Sequence, residues 1–193
     1  MKKFLLLGLT GITAIFCCFA ATWTGHEANA EKQTARLSEH AMGLYSRGQY
    51  EAAKADFTKV RASLVRLVGP RDPATLGVRN NHAAVLFAMG DLAAAEAEHR
   101  STMNLRDQTL GRLNPDSLAS RHNLAVTLMY AGKYEEALLQ VRCVESVRRH
   151  LLGKNDPKSR QAQRLRMQIE EAMKSGRPAG VPSGIGSSAV LPA

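Results

Sequence analysis

Few side chains in this sequence have the types and spacing that chemistry requires. The histidines beyond the first thirty residues are His40, His82, His99, His122 and His150, and only His40 and His82 share a spacing that recurs elsewhere in the chain. A metal site needs three or four converging ligands, so we interpret this pair as packed histidines. No HExxH, CxxC, Walker loop or GxSxG motif is present, and no nucleophile, base and orienting group are spaced for catalysis. The sequence therefore predicts a protein that is not an enzyme and that uses no metal and no cofactor.

The cysteines exclude a disulfide framework. Cys17 and Cys18 lie in the N-terminal segment, and Cys143 is the only cysteine in the remainder of the chain. A single cysteine in an exported protein could be a reactive thiol or could form an intermolecular bridge. A small, packed helical residue without a redox role is the interpretation that we favour.

The first thirty residues have the order of a secretory signal peptide. Lys2 and Lys3 precede an apolar run over residues 4–21, and an Ala-Asn-Ala tripeptide ending at Ala30 offers a cleavage site. We therefore predict residues 1–30 as a signal peptide and a periplasmic or secreted location. The alternative is a membrane anchor over the apolar run, because about 18 apolar residues are the shortest length that spans a bilayer.

Composition and charge fit one soluble globular domain. The chain has 193 residues, of which 45% are hydrophobic and 22% are charged, and its formal net charge is +9. Removal of residues 1–30 would take away two lysines and one glutamate, which leaves +8. This balance favours acidic partners or anionic surfaces, but unclustered basic residues do not by themselves indicate nucleic acid.

A fixed period of 42 residues runs through the middle of the chain. Glycine recurs at this spacing in two columns and proline in a third, and columns of alanine, leucine and mostly tyrosine lie between them. The columns are Gly48, Gly90 and Gly132; Gly69, Gly111 and Gly153; Pro73, Pro115 and Pro157; Ala41, Ala83 and Ala125; Leu44, Leu86 and Leu128; Tyr50, Leu92 and Tyr134; and Ala53, Ala95 and Ala137.

Each column has a mechanical reason in a pair of antiparallel helices. Asp72, Asn114 and Asp156 stand directly before the repeated proline, which is the pattern of an N-cap followed by the first helical residue. The first glycine of each repeat lies between two helical patterns, where it permits the positive φ of a tight turn. The alanines allow the helices to approach closely. The unit is therefore an αα-hairpin, and because a single hairpin would expose an apolar face, the hairpins must stack as an α-solenoid.

Two stretches of the repeat resemble tetratricopeptide repeats of the kinesin-light-chain subtype. They read NNHAAVLFAMGDLAAAEAEHRSTMNLRDQTLGRLNPDSL and HNLAVTLMYAGKYEEALLQVRCVESVRRHLLGKNDPKS. The subtype closes its 42-residue unit with a motif similar to Leu-Gly-x-x-His-Pro. This motif matches at Val68–Pro73, Leu110–Pro115 and Leu152–Pro157, except that Asp or Asn replaces the histidine. The resemblance covers about residues 35–173.

The resemblance implies an all-α solenoid of about three helical hairpins with a polar capping helix at the C-terminal end. The sequence after the cap is rich in Gly, Pro and Ser and carries one charge, so we predict it to be disordered. The expected divisions are a repeat domain over residues 31–174, made of repeats at about 37–78, 79–120 and 121–162 and a cap at 163–174, and a tail over 175–193.

The same resemblance implies a ligand-binding groove on the first helices of the hairpins. In that family an asparagine of the first helix contacts the backbone of a bound peptide, and it corresponds here to Asn81 and Asn123. An amide suits this role because it presents both donors and an acceptor. The alternative is that both amides bond locally to the preceding loop. The expected groove residues are Asn80, Asn81, Ala84, His122, Asn123, Val126, Tyr130, Arg164 and Gln168, flanked by Arg79 and Arg121.

Three arginines near this groove suggest the character of the ligand. Arg79 and Arg121 replace a packing aromatic residue of the family, so we expect them to add basic surface, and Arg164 follows in the cap. Guanidinium groups in a row favour an acidic ligand or one with a free carboxylate.

These features predict a non-catalytic interaction module of the cell envelope that binds a peptide or a partner protein in the concave groove. The alternative is a structural or assembly factor that self-associates or is tethered to a membrane, which we expect as a partner only if residues 4–21 are retained. A basic RNA-binding solenoid is a third option. The export signal and the six scattered aromatic residues beyond residue 30 argue against it, so we predict no nucleic acid partner.

Overall fold

The computed structural model describes residues 28–175, and within this range the only regular elements are helices. The expected all-α class is confirmed. The predicted signal peptide lies outside the described residues except for its last three, which begin the first helix, and the predicted tail lies outside them except for its first residue, which ends the last one. The helices are α1 (residues 28–46), α2 (Tyr50–Leu67), α3 (Pro73–Ala88), α4 (Leu92–Thr109), α5 (Pro115–Tyr130), α6 (Tyr134–Leu152) and α7 (Pro157–Ser175).

The helices pack mainly on their neighbours in sequence, as the solenoid prediction requires. The pairs α1 and α2, α3 and α4, and α5 and α6 form three hairpins, and α7 packs on α6. The first helices of successive hairpins also touch, since α5 contacts both α3 and α7. Among residues 28–175, no helix has the length and apolar content that crossing a bilayer requires.

The repeated capping residues define where each helix begins and ends. The side chains of Asp72, Asn114 and Asp156 each accept a hydrogen bond of 2.8 Å from the backbone N–H two residues later. Within the hairpins, Gly90 has a φ of 84°, and the N–H of the following residue donates to the Leu86 carbonyl at 3.0 Å. This geometry satisfies carbonyls that the helix end would otherwise leave without a partner.

The alanine columns form the seam of every hairpin. All six alanines of the two columns are fully buried, and the leucines of the neighbouring column are buried beside them. Because a methyl group is the largest side chain at these positions, the two helix backbones approach closely over the seam. The predicted packing role of these columns is confirmed.

Three histidines are buried, and two of them, His99 and His122, have strongly lowered pKa values. His99 occupies the position of Phe57 and Val141 in the other repeats, and neither of its ring nitrogens has a hydrogen-bond partner among the described residues. Burial lowers the pKa of His99 to about 4. Burial, assisted by the nearby charge of Arg148, also lowers the pKa of His122 to about 4.

The last helix closes the solenoid with a polar outer face. Ala162, Leu165 and Ile169 face the core and are buried. The position of the seam alanine is taken by Met167, which is 56% exposed because no second helix covers it within the described residues. The prediction of a polar cap agrees with this arrangement.

The seam predicts a position-dependent response to a larger side chain. Ala125→Leu should lower the free energy of unfolding by about 1–3 kcal/mol, because the added atoms force the α5 and α6 backbones apart. Met167→Ala changes the same repeat position on the open face of α7, and it should alter stability by less than about 0.5 kcal/mol. Denaturant unfolding followed by circular dichroism measures both changes in the free energy of unfolding. Equal changes would contradict the close packing of α5 and α6 at Ala125.

The lowered pKa values of His99 and His122 predict a loss of stability in mild acid. Both are neutral in the folded chain, whereas the unfolded chain protonates them near pH 6.5, so stability is present above this pH and is lost as the pH falls toward 4. Between about pH 7.5 and about pH 5 the free energy of unfolding should fall, and His99→Phe should make this fall smaller by on the order of 2 kcal/mol. His150→Phe, at an exposed position, serves as the control and should leave the pH dependence unchanged.

Candidate binding groove

The first helices of the hairpins stand side by side, and their asparagines lie between them. The Asn123 side chain on α5 donates to the Asn80 amide oxygen on α3 at 3.1 Å. The Asn81 amide nitrogen on α3 lies 3.6 Å from the Met42 sulfur on α1. Each motif asparagine therefore makes a contact with the preceding first helix.

The packing of successive first helices buries most of the expected groove residues. The small and short side chains let successive first helices approach so closely that little of these positions reaches the surface. The prediction of an open groove needs correction for five residues that are buried, namely Asn80, Ala84, His122, Asn123 and Val126.

Four of the expected groove residues remain accessible. Asn81 and Tyr130 are half-buried, and Arg164 and Gln168 on α7 are exposed. The Tyr130 ring packs edge-on against Phe87 with 5.2 Å between ring centroids, and burial raises the pKa of its hydroxyl. The accessible residues of the expected groove therefore lie on part of α3, at the end of α5 and on the cap.

Both flanking arginines bind side chains of second helices, Arg79 within its own hairpin and Arg121 in its own hairpin and in the preceding one. Arg121 is buried, and its guanidinium donates to the carboxylate of Asp107 and, at 2.8 Å, to the amide oxygen of Gln140. Arg79 donates to the Ser101 hydroxyl at 2.9 Å and lies 3.9 Å from the Glu98 carboxylate. The expectation of added basic surface is therefore wrong for Arg121, because its guanidinium binds α6 of its own hairpin and α4 of the preceding one and meets a carboxylate on α4.

The repeated histidines are also paired within their hairpins. His40 Nδ1 contacts the Asp56 carboxylate at 2.8 Å, and His82 Nδ1 contacts the Glu98 carboxylate at 2.5 Å. Burial opposes ionisation of Glu98, but the bond from His82 and the nearby arginines outweigh it and lower the pKa of this carboxyl group. The described residues hold no group of three or more potential metal ligands.

An apolar cleft of about 560 Å³ opens where α1 and α2 meet α3. Its walls come from the first turns of α1, the last turns of α2 and the first half of α3, and Asn80 and Asn81 lie at its polar end. Gly77 leaves room in one wall, since a side chain at this position would meet only the Arg106 guanidinium, 4.0 Å away. The apolar lining is Ala35, Val60, Leu64, Leu67, Val68, Pro73, Ala74 and Val78.

Arg106 is a buried residue of this cleft that the sequence did not single out. Its guanidinium donates to the Asp116 carbonyl at 3.0 Å and to the Ser120 hydroxyl at 2.8 Å, while its Nε has no partner among the described residues. Burial lowers the pKa of Arg106, although the charge of Asp116 opposes this effect. Arg148 makes the same kind of bond to the Lys158 carbonyl one repeat later. The sequence feature that could have pointed to Arg106 is its repeat column, in which Arg106 and Arg148 stand where the first repeat has Leu64.

Cys143 lies half-buried on α6 with a free thiol. This placement is compatible with the structural role that the sequence analysis favoured. It gives the thiol no partner of its own kind within residues 28–175.

The asparagine contacts predict that replacement of the two motif asparagines lowers stability by different amounts. Asn123→Ala should lower the free energy of unfolding by about 1–3 kcal/mol, because it leaves the buried Asn80 amide without its donor. Asn81→Ala, at the same repeat position one unit earlier, should cost less than about 0.5 kcal/mol, because its contact to Met42 is long and weak. Thermal unfolding of the two variants measures the difference, and equal losses would contradict the assignment.

Comparison with known proteins supports the repeat assignment. Family models described as tetratricopeptide repeat match residues 36–74 and 74–150, which together span more than half of the chain. No curated protein sequence matches this chain.

Solved structures with similar folds extend the comparison. A Podosopora anserina protein assigned as a kinesin light chain, with nearly identical TPR-like repeats, is 21% identical, with a TM-score of 0.68 over 72% of this chain and 66% of that one. A variant of that protein with one substitution is 22% identical, with a TM-score of 0.67 over 75% and 67%. BtubC (BKLC) from P. vanneervenii is 15% identical, with a TM-score of 0.61 over 80% and 70%. These matches span about two thirds of each neighbour's length and show the shared fold. The chain belongs to the tetratricopeptide-repeat family.

Proposed function

We propose that this protein is a non-catalytic interaction module that binds a peptide segment of a partner protein in the cleft between α1, α2 and α3. Tetratricopeptide repeats generally mediate protein–protein interactions. The observation that carries the proposal is the apolar cleft itself, which is large enough for one or two side chains and has an amide at one end.

The lining of the cleft defines the ligand that fits it. Leu64, Val68 and Val78 offer an apolar floor for a large apolar side chain. The Asn81 amide, half-buried at the edge of this floor, can exchange hydrogen bonds with the backbone of an extended peptide. Burial of the apolar side chain supplies the affinity, and the amide fixes the register of the backbone.

Negative charge on the ligand is not what the cleft selects. The acidic side chains of Glu31 and Asp116 lie in its lining beside the single buried guanidinium of Arg106. Of the three arginines on which the acidic preference rested, only Arg164 is exposed, and it lies on α7 rather than in the cleft. The proposed ligand is therefore defined by its apolar side chain, and this proposal replaces the acidic ligand expected from the sequence.

A substitution that fills the cleft tests the proposal. Peptides selected from a displayed random library against the full chain should share a large apolar residue, and Gly77→Leu should weaken their binding by about tenfold or more, because the new side chain occupies the same space. Isothermal titration measures the affinity.

The repeat provides a matched control for this experiment. Ala119 is the equivalent position one repeat later and lies outside the cleft, so Ala119→Leu should leave the affinity unchanged. Equal affinity of the Gly77→Leu variant and the unmodified chain would exclude the cleft as the binding site.

We further propose that the module works in the cell envelope after export. The support is the order of charge, apolar run and small residues over residues 1–30. Mass spectrometry of the protein purified from its native cells should find Glu31 as the N-terminal residue. A native chain that begins at Met1 would contradict cleavage and would favour tethering by residues 4–21.

A further inference from the structure

One edge of the solenoid exposes apolar side chains where each hairpin ends and the next begins. We call this edge, formed by residues 66–74, 110–116 and 151–158, the loop edge. Four of the eight large apolar side chains that are exposed among the described residues lie on it, namely Val68, Leu113, Leu151 and Leu152. Single exposed apolar side chains are ordinary on a protein surface, but clusters of them mark contact surfaces.

The apolar side chains of the loop edge line two clefts. Leu113, Leu151 and Leu152 surround a shallow cleft of about 170 Å³ between α5, α6 and α7. Asp116 lines this cleft and also the larger one that Val68 lines, so the two clefts adjoin. Apolar side chains therefore line both clefts along the loop edge, and Asp116 is common to the two.

Basic side chains accompany these apolar residues. Arg71, Arg112, Lys154 and Lys158 are all exposed on the loop edge. Among the described residues, the only ion pair that any of the four side chains makes is that of Arg112 with the Asp107 carboxylate, at 3.8 Å. The capping residues Asp72 and Asp156 direct their carboxylates to backbone N–H groups. With Arg66, these basic residues outnumber the three aspartates of the loop edge, Asp72, Asp116 and Asp156, so the edge combines apolar side chains with a net positive charge.

The start of α1 lies on the same edge. Glu31 and Thr34 line the larger cleft together with Val68 and Pro73. The apolar run over residues 4–21 ends only six residues before the described part of the chain begins, and six residues span at most about 20 Å. A bilayer that held this run would therefore lie next to the loop edge and not next to the opposite edge.

We propose that the loop edge docks against an anionic lipid surface. Leu113, Leu151 and Leu152 enter the headgroup region, while Arg112 and Lys154 lie over the lipid phosphates. Apolar side chains and basic residues on one face are the combination that binds such surfaces, and the attraction weakens as salt screens it. This docking follows from charge complementarity, and the position of the N-terminal run adds to it only in a chain that retains residues 4–21. It does not depend on peptide binding in the larger cleft.

Tryptophan quenching by brominated lipid tests which edge meets the bilayer. In the full chain, Trp23→Phe removes the only native tryptophan, and Leu113→Trp or Leu139→Trp then places a single reporter. The two leucines are 62% and 68% exposed, but Leu139 lies 13 residues, about 20 Å, before the end of α6 at the loop edge. Vesicles of equal parts phosphatidylcholine and phosphatidylglycerol with brominated chains should reduce the Leu113→Trp emission about twofold and leave the Leu139→Trp emission unchanged.

Charge reversal provides the second arm of the experiment. Adding Arg112→Glu and Lys154→Glu to the Leu113→Trp chain should abolish most of the quenching. The same change of charge at Arg47→Glu and Lys54→Glu, near the first hairpin turn on the opposite edge, should leave it intact. Circular dichroism of each variant establishes that it is folded.

Three outcomes would overturn the proposal. They are equal quenching at the two reporter positions, binding to vesicles without quenching at Leu113→Trp, and quenching that the reversal at Arg112 and Lys154 does not change. The second outcome would show that residues 4–21 alone hold the protein on the bilayer while the loop edge faces water.

Discussion

The close approach of paired helices over the buried alanine columns is the constraint on which the rest of the structure depends. With only methyl groups in the seam, the helices of a hairpin lie near enough for His40 to reach Asp56 and for His82 to reach Glu98 across it. A larger seam would separate these pairs and leave charges buried without partners, which costs several kcal/mol per ion. The polar contacts that give this solenoid its character are therefore consequences of the alanine spacing.

Stacking of the hairpins buries the polar side chains that a binding groove would need on its surface. The pair Asn80 and Asn123 joins two first helices, and Arg106 ties the end of α4 to the start of α5. Open space remains at the first hairpin, where Leu64 stands in the repeat column of Arg106 and makes no such tie. The candidate cleft is thus a result of one repeat differing from the next, and its location at the N-terminal hairpin has the same origin.

A few repeated positions specify the fold, and the remaining positions form most of the surface. Solved neighbours share the fold at 15% to 22% identity, which is what a repeat specified by a few small and apolar columns permits. Side chains outside these columns are free to differ, and the loop edge and the α1 to α3 cleft are both built mainly from such side chains.

The sequence alone determined the period, the capping residues, the glycine turns and the seam, because these depend on local backbone geometry and on spacing along one helix. Asp72, Gly90 and Ala125 have the roles that their types and positions predicted. Only the tertiary structure decided which polar side chains are accessible, because that depends on how closely successive hairpins stack. Arg121 and Asn123 were expected on the surface and are buried against partners 14 and 43 residues away, a separation that repeat spacing does not reveal.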